Sequence, residues 1–239
     1  MEKHYIPGTK GSVFSLRGDF SFGVDSILLS AFSKTKSVNL AVDLCSGSGI
    51  VALRNTLLYR PKKMIGMEIQ ASMCHLMREA IKENSLDPVM EVWEGAFQEQ
   101  RKSLKESVDI ITCNPPYFKR GEGIQNDKMG MTVSRHELKM TLEDVFIFAA
   151  ETLKEGGKLF LIQRPHRMGE CIYFGKRYGL PVKRLRSVQG KTGRAPKMVL
   201  MEFRNRGGDF LNVEAPIILY EEDGIYTQEV LRAYEGEKL

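Results

Sequence analysis

The chain has 239 residues, 42% of them hydrophobic and 27% charged, with a formal net charge of +5. That is enough for one substantial core and too ordinary in composition for a fibrous, low-complexity or disordered protein. The first residues lack the apolar stretch of a secretory signal, and no apolar run is long enough to span a bilayer, so a cytoplasmic location without membrane attachment is expected. Four scattered cysteines, Cys45, Cys74, Cys113 and Cys171, form no close pair of the kind used for zinc or redox chemistry; no metal is expected. The basic balance leans towards a polyanionic partner, a lean that many basic enzymes share without touching nucleic acid.

Residues 1–37 mix glycine, charged and aromatic residues and end in a helical pattern, Asp25–Phe32, with Asp25 placed to complement exposed N–H groups at the helix start. From residue 38 to 239 the chain reads as a single globular unit. Apolar runs at Leu40–Leu44, Lys63–Met67, Met90–Glu94, Val108–Cys113 and Lys158–Gln163 are predicted strands. Amphipathic stretches at Ile50–Tyr59, Ala71–Asn84 and Thr141–Leu153 are predicted helices between them. This alternation predicts a doubly wound α/β sheet with parallel strands. A helix near Gly169–Tyr178 then leads to strands Val182–Val188 and Met198–Phe203. A glycine-rich basic loop joins these two as a terminal antiparallel hairpin. A short strand at Ile217–Tyr220 and a short helix at Gln228–Tyr234 complete the prediction.

The first strand ends in Ala41-Val-Asp-Leu-Cys-Ser-Gly-Ser-Gly-Ile50. Gly47 and Gly49 let the backbone approach a ligand, and the following helix start offers unpaired N–H groups. The loop lacks the third glycine of a dinucleotide site, and Asp43 would repel a phosphate. An acidic residue there suits a ligand with an ammonium group, such as the methionine part of S-adenosylmethionine. Glu68, at the end of the second strand, is suited to grip both ribose hydroxyls; Ile69 beside it joins the expected cofactor contacts. An ordinary glycine turn is the bland alternative, and Asp43 and Glu68 at these offsets weigh against it.

Val108–Cys113 runs into Asn114-Pro115-Pro116-Tyr117. Two prolines fix φ and remove two donors, so the loop is stiff and its carbonyls point in set directions. The amino group on an adenine ring is a poor nucleophile because its lone pair is delocalised. If the Asn114 side-chain oxygen and the Pro115 carbonyl accept hydrogen bonds from it, charge developing during methyl transfer is stabilised and the nitrogen is aimed. Tyr117 would stack on a base extruded from its neighbours. A Pro-Pro turn that merely closes a strand is the competing reading.

These motifs resemble the Rossmann-like class I methyltransferases with an Asn-Pro-Pro-Tyr motif, and most closely the bacterial tRNA adenine-N6 methyltransferases that act beside the anticodon of a valine tRNA. The closer similarity rests on Phe20-Ser-Phe-Gly-Val-Asp-Ser-Ile-Leu-Leu29 and on Ile217–Tyr234, with Tyr226 ahead of a final helix. The resemblance implies a seven-stranded, mostly parallel sheet with the last strand antiparallel and helices on both faces. It also implies that residues 1–37 cover the cofactor, S-adenosylmethionine, with Phe22, Gly23 and Asp25 near it, and that Asn114 borders the cofactor as well. Where that family usually offers an Asp to the adenine of the cofactor, this chain has Ala96, so adenine binding is expected to fall to backbone N–H groups and Phe97.

Between Gly156 and Met201 the one acidic residue is Glu170, against eleven basic ones. Lys191, Arg194 and Lys197 could hold a tRNA backbone through phosphate contacts; a solvated strand edge that discourages aggregation is the equal alternative. Lys119–Met131 reads as a lid that orders on substrate, and Arg135-His136-Glu137 as a helix start that could contact substrate. The expected partner is RNA, and nothing calls for an obligate protein partner. Methylation of a protein glutamine amide uses the same tetrapeptide, but with a helical domain before the first sheet strand, where this chain has about 40 residues. DNA adenine methylation would need a target-recognition domain. A non-catalytic RNA-binding protein is disfavoured by the intact Asp43, Glu68 and Asn114.

Overall fold

Residues 1–18, 22–115 and 140–239 are described by the structure, a computed structural model. The chain opens on an antiparallel hairpin, β1 (Glu2–Tyr5) and β2 (Ser12–Ser15), followed by α1 (Val24–Phe32). The expected alternation follows: β3 (Leu40–Leu44), α2 (Ile50–Tyr59), β4 (Lys63–Glu68), α3 (Ala71–Glu83), β5 (Met90–Glu94), a single-turn α4 (Phe97–Gln100) and β6 (Val108–Cys113). The remainder comprises α5 (Leu142–Thr152), β7 (Leu153–Gln163), α6 (Met168–Arg177), β8 (Val182–Gln189), β9 (Pro196–Arg204), the two-residue strands β10 (Asn212–Val213) and β11 (Ile217–Ile218), and α7 (Gln228–Tyr234).

Among the described residues the main sheet runs β5-β4-β3-β6-β7-β9-β8, with β10 and β11 both pairing along β8. Neighbours are parallel throughout except β9, which runs antiparallel to β7 and β8. This is a Rossmann-like α/β sheet of seven long strands, one of them reversed, whose β8 edge is lengthened by the two short strands. All six residues of β6 are buried, as an apolar strand covered on both faces must be. Side chains alternate between two cores: Ala41 faces the layer of α1, α2, α3 and α7, while Val42 and Leu44 face that of α4, α5 and α6.

Two boundaries differ from expectation for identifiable reasons. α5 starts one residue after Thr141, which caps it in a reciprocal capping box with Asp144. Its end passes directly into β7, ahead of the expected start at Lys158, because Gly156 (φ 75°) and Gly157 form a bulge rather than a loop. The register shifts there from Val108↔Leu153 to Ile110↔Lys158, and a Cβ on Gly157 would lie 2.9 Å from the Lys154 carbonyl. The N-terminal hairpin is a second difference. Its short polar strands carry little pattern, and it is held by the amide of Asn84, which accepts from Ser12 N at 2.8 Å and donates to Ser12 O at 2.7 Å.

Among the described residues Arg54 is the largest fully buried side chain. Its guanidinium donates to Pro7 O at 3.0 Å, Ser30 Oγ at 2.8 Å, Tyr234 O at 3.3 Å and Ala233 O. One cation thereby joins α2 to the N-terminal hairpin turn, to α1 and to the carbonyl end of α7, where unpaired carbonyls and the helix dipole favour positive charge. No helix among the described residues is long and apolar enough to cross a membrane.

Arg54→Met should therefore lower stability by about 3–5 kcal/mol, because it strands several buried acceptors at once. Urea unfolding checks this; the exposed Lys82→Ala should stay within about 0.5 kcal/mol of the parent.

Candidate active site

The carboxyl ends of β3, β4 and β6 lie side by side, and the loops leaving them bring most of the expected residues together. Asp43 stands in register with Gly66 on one side and Thr112 on the other. Its carboxylate is buried and takes the hydroxyl protons of Thr112, at 2.5 Å, and of Ser46. Burial pushes its pKa up to about 6, against those two hydrogen bonds; the nearby Glu68 charge raises it further. Asp43 thus sits beneath the loop and holds it through Ser46. Neither Ser46 nor Thr112 was expected. The available signal was the two-residue period, which puts the hydroxyl of Thr112 on the sheet face that carries Asp43.

The loop after β3 curls sharply, with Cys45 at φ 55°, Gly47 at 56° and Gly49 at 91°. At Gly49 a Cβ would fall 2.6 Å from Met77, so only glycine fits between the loop and α3; the space over Gly47 is open. Gly47 N donates to Glu68 Oε2 at 2.9 Å, and Ile69 N and Gln70 N both donate to Glu68 Oε1 at 2.9 Å. Three backbone donors fix this carboxylate beside the open space, and Ile69 next to it leaves 41% of its surface exposed. An aimed carboxylate, an apolar side chain and an open glycine backbone are a donor set that can take a ribose, a flat ring and an amino-acid tail. The residues present fit S-adenosylmethionine.

Asn114 leaves β6 on the side of α1. Its Nδ2 donates to Asp25 Oδ2 at 3.2 Å and to Ser26 Oγ at 3.4 Å, and Asp25 Oδ1 accepts from Ser26 N at 2.9 Å. The segment before the first sheet strand is thereby tied to the tetrapeptide. Gly23 caps α1, where a Cβ would meet the Asp25 carboxylate at 2.5 Å, and Phe22 packs on the adjoining core. Pro115 is buried. Pro116, Tyr117, the expected lid Lys119–Met131, Arg135-His136-Glu137 and Phe20 lie outside the described residues.

Ala96 caps α4 just beyond Gly95, whose N–H donates to Glu68 O at 2.9 Å. Phe97 turns instead into the second core, its ring edge-on to Phe148 at 5.3 Å. The basic run is largely neutralised by carboxylates from elsewhere: Arg177 by Glu143, Lys176 by Asp209, Arg184 by Glu202 and Glu214, and Arg186 by Glu229. Lys191 donates to Glu222 O at 2.7 Å. Arg194 and Lys197 are exposed and make no ion pair among the described residues. They flank the turn between β8 and β9, at the same edge of the sheet as Asn114, since β9 begins beside the carboxyl end of β7. Among the described residues no group of three His, Cys, Asp or Glu could hold a metal ion.

Comparison with known proteins gives this geometry a family. Residues 8–173 match the methyltransferase small domain. A tRNA1(Val) (adenine(37)-N6)-methyltransferase of Porphyromonas gingivalis is 26% identical over 223 residues, 89% of this chain and 86% of that one. A relative of the same name in Tolumonas auensis is 23% identical over 87% of this chain and 86% of its own. Among solved structures, a predicted O-methyltransferase of Agrobacterium tumefaciens superposes with a TM-score of 0.72 at 18% identity, covering 90% of this chain and 97% of that one. The chain belongs to the methyltransferase small-domain family and is an S-adenosylmethionine-dependent methyltransferase.

Proposed function

We propose that the enzyme methylates the exocyclic N6 amine of an adenine in a structured RNA, a tRNA. The observation that carries this reading is the hold on Asn114. With its NH2 group donated to Asp25 and Ser26, the amide is oriented with its oxygen as the acceptor end, the polarity that a planar amine calls for. The names of the Porphyromonas and Tolumonas relatives support the adenine and the tRNA.

S-adenosylmethionine supplies an electrophilic methyl group. Glu68 would hold its ribose hydroxyls, Ile69 and the backbone near Ala96 its adenine, and Gly47 and Gly49 would admit its amino-acid tail. Asp43 would give the loop its negative charge, while Phe22, Gly23 and Asp25, in the segment 1–37, would cover the cofactor beside Asn114. The Asn114 oxygen and the Pro115 carbonyl accept the two amine hydrogens, which stabilises positive charge on nitrogen as the bond forms. No tuned base is required, because the proton leaves after transfer. Pro116 stiffens the turn and Tyr117 stacks on the base. Arg194 and Lys197 hold the RNA backbone, with Lys191 contributing less because Glu222 already engages it.

Labelled cofactor supplied with total tRNA lacking the modification tests the proposal: label should appear in an adenine, and label confined to other nucleosides overturns it. Asn114→Ala should lower kcat about 100-fold or more while weakening cofactor affinity by calorimetry far less. Arg194→Ala with Lys197→Ala should raise the KM for RNA and flatten its salt dependence, by about one unit of slope for each phosphate no longer neutralised.

Asp43 gives a prediction in pH. Its native pKa near 6 lies above the ordinary 3.8, so between those values the folded state binds more protons than the unfolded chain. Stability of the cofactor-free protein should fall as pH rises through that window and level off above it. Asp43→Asn should lose that slope in thermal unfolding. Affinity for the cationic cofactor should climb with pH through about 6 in the parent and stay flat in the variant.

A further inference from the structure

A row of three tyrosines starts at the sheet edge that carries Asn114. β8 is antiparallel to β9, which is antiparallel to β7, so the carboxyl end of β8 lies at the same edge as that of β6. β11 runs parallel along the end of β8. Leu219 N and Tyr220 N carry the pairing past it, to Gln189 O at 2.9 Å and Gly190 O at 3.0 Å. Tyr220 then faces Tyr226 across a short hairpin. Their rings stack at 5.1 Å and 14°, and Tyr226 meets Tyr234 of α7 at 5.4 Å.

A cross-strand aromatic pair steadies a hairpin, and all three rings rest partly on the first core. That accounts for Tyr226, which lies between two rings. Tyr220 ends the row: it is half-buried, and among the described residues Tyr226 is its one ring partner.

Cations stand beside this end. Tyr220 is bonded to Gly190, and a Cβ on Gly190 would lie 3.7 Å from the Lys197 ammonium. Burial and Tyr226 push the Tyr220 phenol above its usual pKa, and the Lys197 charge works against them. Arg164, exposed just past β7, donates to Lys197 O at 3.3 Å. From Asn114 the edge thus passes Arg164, then Lys197, then Tyr220, on neighbouring strands about 5 Å apart. Past Tyr220 the hairpin tip is acidic, with Glu222 3.8 Å from Lys191 and Asp223 accepting the Ile225 N–H at 3.0 Å. A polyanionic strand is attracted as far as the tyrosine and repelled beyond it.

We propose that Tyr220 is a second base-binding position: an unpaired base of the RNA loop, other than the target adenine, stacks on the end of the tyrosine row, with Lys197 and Arg164 along the connecting phosphates. This rests on the RNA reading given above. A ring face accepts any base and needs no hydrogen bond, so the position reads no sequence. It favours a loop whose bases are splayed out over a duplex whose bases are already stacked.

The test measures the Kd of fluorescent RNA stem-loops that hold the methylated adenosine in the loop, with an abasic site placed at each other loop position in turn. For the parent, Kd should rise roughly tenfold or more at one such position. Tyr220→Leu should show the same rise on intact RNA and no further loss on that abasic RNA, while Tyr220→Phe, which keeps the ring, should restore binding. Tm and cofactor Kd should match the parent in both variants. A Tyr220→Leu loss that is equal on intact and on every abasic RNA, with a lowered Tm, would make the tyrosine a structural residue and overturn the proposal. So would a parent indifferent to every abasic site, a measurement that needs no variant to fold. A parent that binds no stem-loop at all overturns the RNA reading together with this one, and is recognised before any variant is made.

Discussion

A full positive charge sits in the first core, bonded to backbone carbonyls and a serine hydroxyl. Arg54 is on α2, the helix that the cofactor loop opens, and its four bonds reach the N-terminal turn, α1 and the end of α7. A guanidinium removed from water is tolerable only while its donors are engaged. Those distant segments must therefore be in place for α2 to be stable where it is. Asp25 and Ser26 on α1 in turn orient Asn114, so the position of Asn114 depends on the same packing. The hold on Asn114 is thus inherited from a cation on another helix.

The second buried charge works differently. Asp43 is neutralised by no cation among the described residues and is held by hydroxyls, with Glu68 near enough to raise its pKa. Two carboxylates converging beneath one loop make an electronegative floor, which costs stability in the empty protein and is offset when a cationic ligand arrives. The rigid hold of three backbone N–H groups on Glu68 serves the same end: the carboxylate needs no reordering on binding.

Much of this is legible in the sequence, because parallel strands buried on both faces must be continuous apolar runs. β3, β4, β5 and β6 lie where their runs are, and the glycine loop and Asn114-Pro115 leave the sheet edge where strand ends put them. The features that a local pattern hides depend on contacts between residues far apart in sequence. Gly156 and Gly157 read as a loop, yet they form a bulge because β6 runs alongside. The edge-on contact of Phe97 with Phe148 joins two helices that no local pattern brings together. The basic run looks like an open phosphate surface; Glu214, Glu222 and Glu229, which answer several of its charges, come after it in the chain. Arg54 looks like any helix cation, and its acceptors at Pro7 and Ala233 are invisible to a local pattern.

The two acceptors that the end of α7 contributes to Arg54 come from residues about 180 positions downstream. During synthesis, α1 and α2 leave the ribosome long before Ala233 and Tyr234 exist. The nascent sheet can therefore assemble only with that guanidinium half-answered, and the native arrangement is sealed late, when the last helix docks. Until Ala233 and Tyr234 are in place, the layer that carries the cofactor loop is unfinished, so ligand binding there waits on the docking of α7.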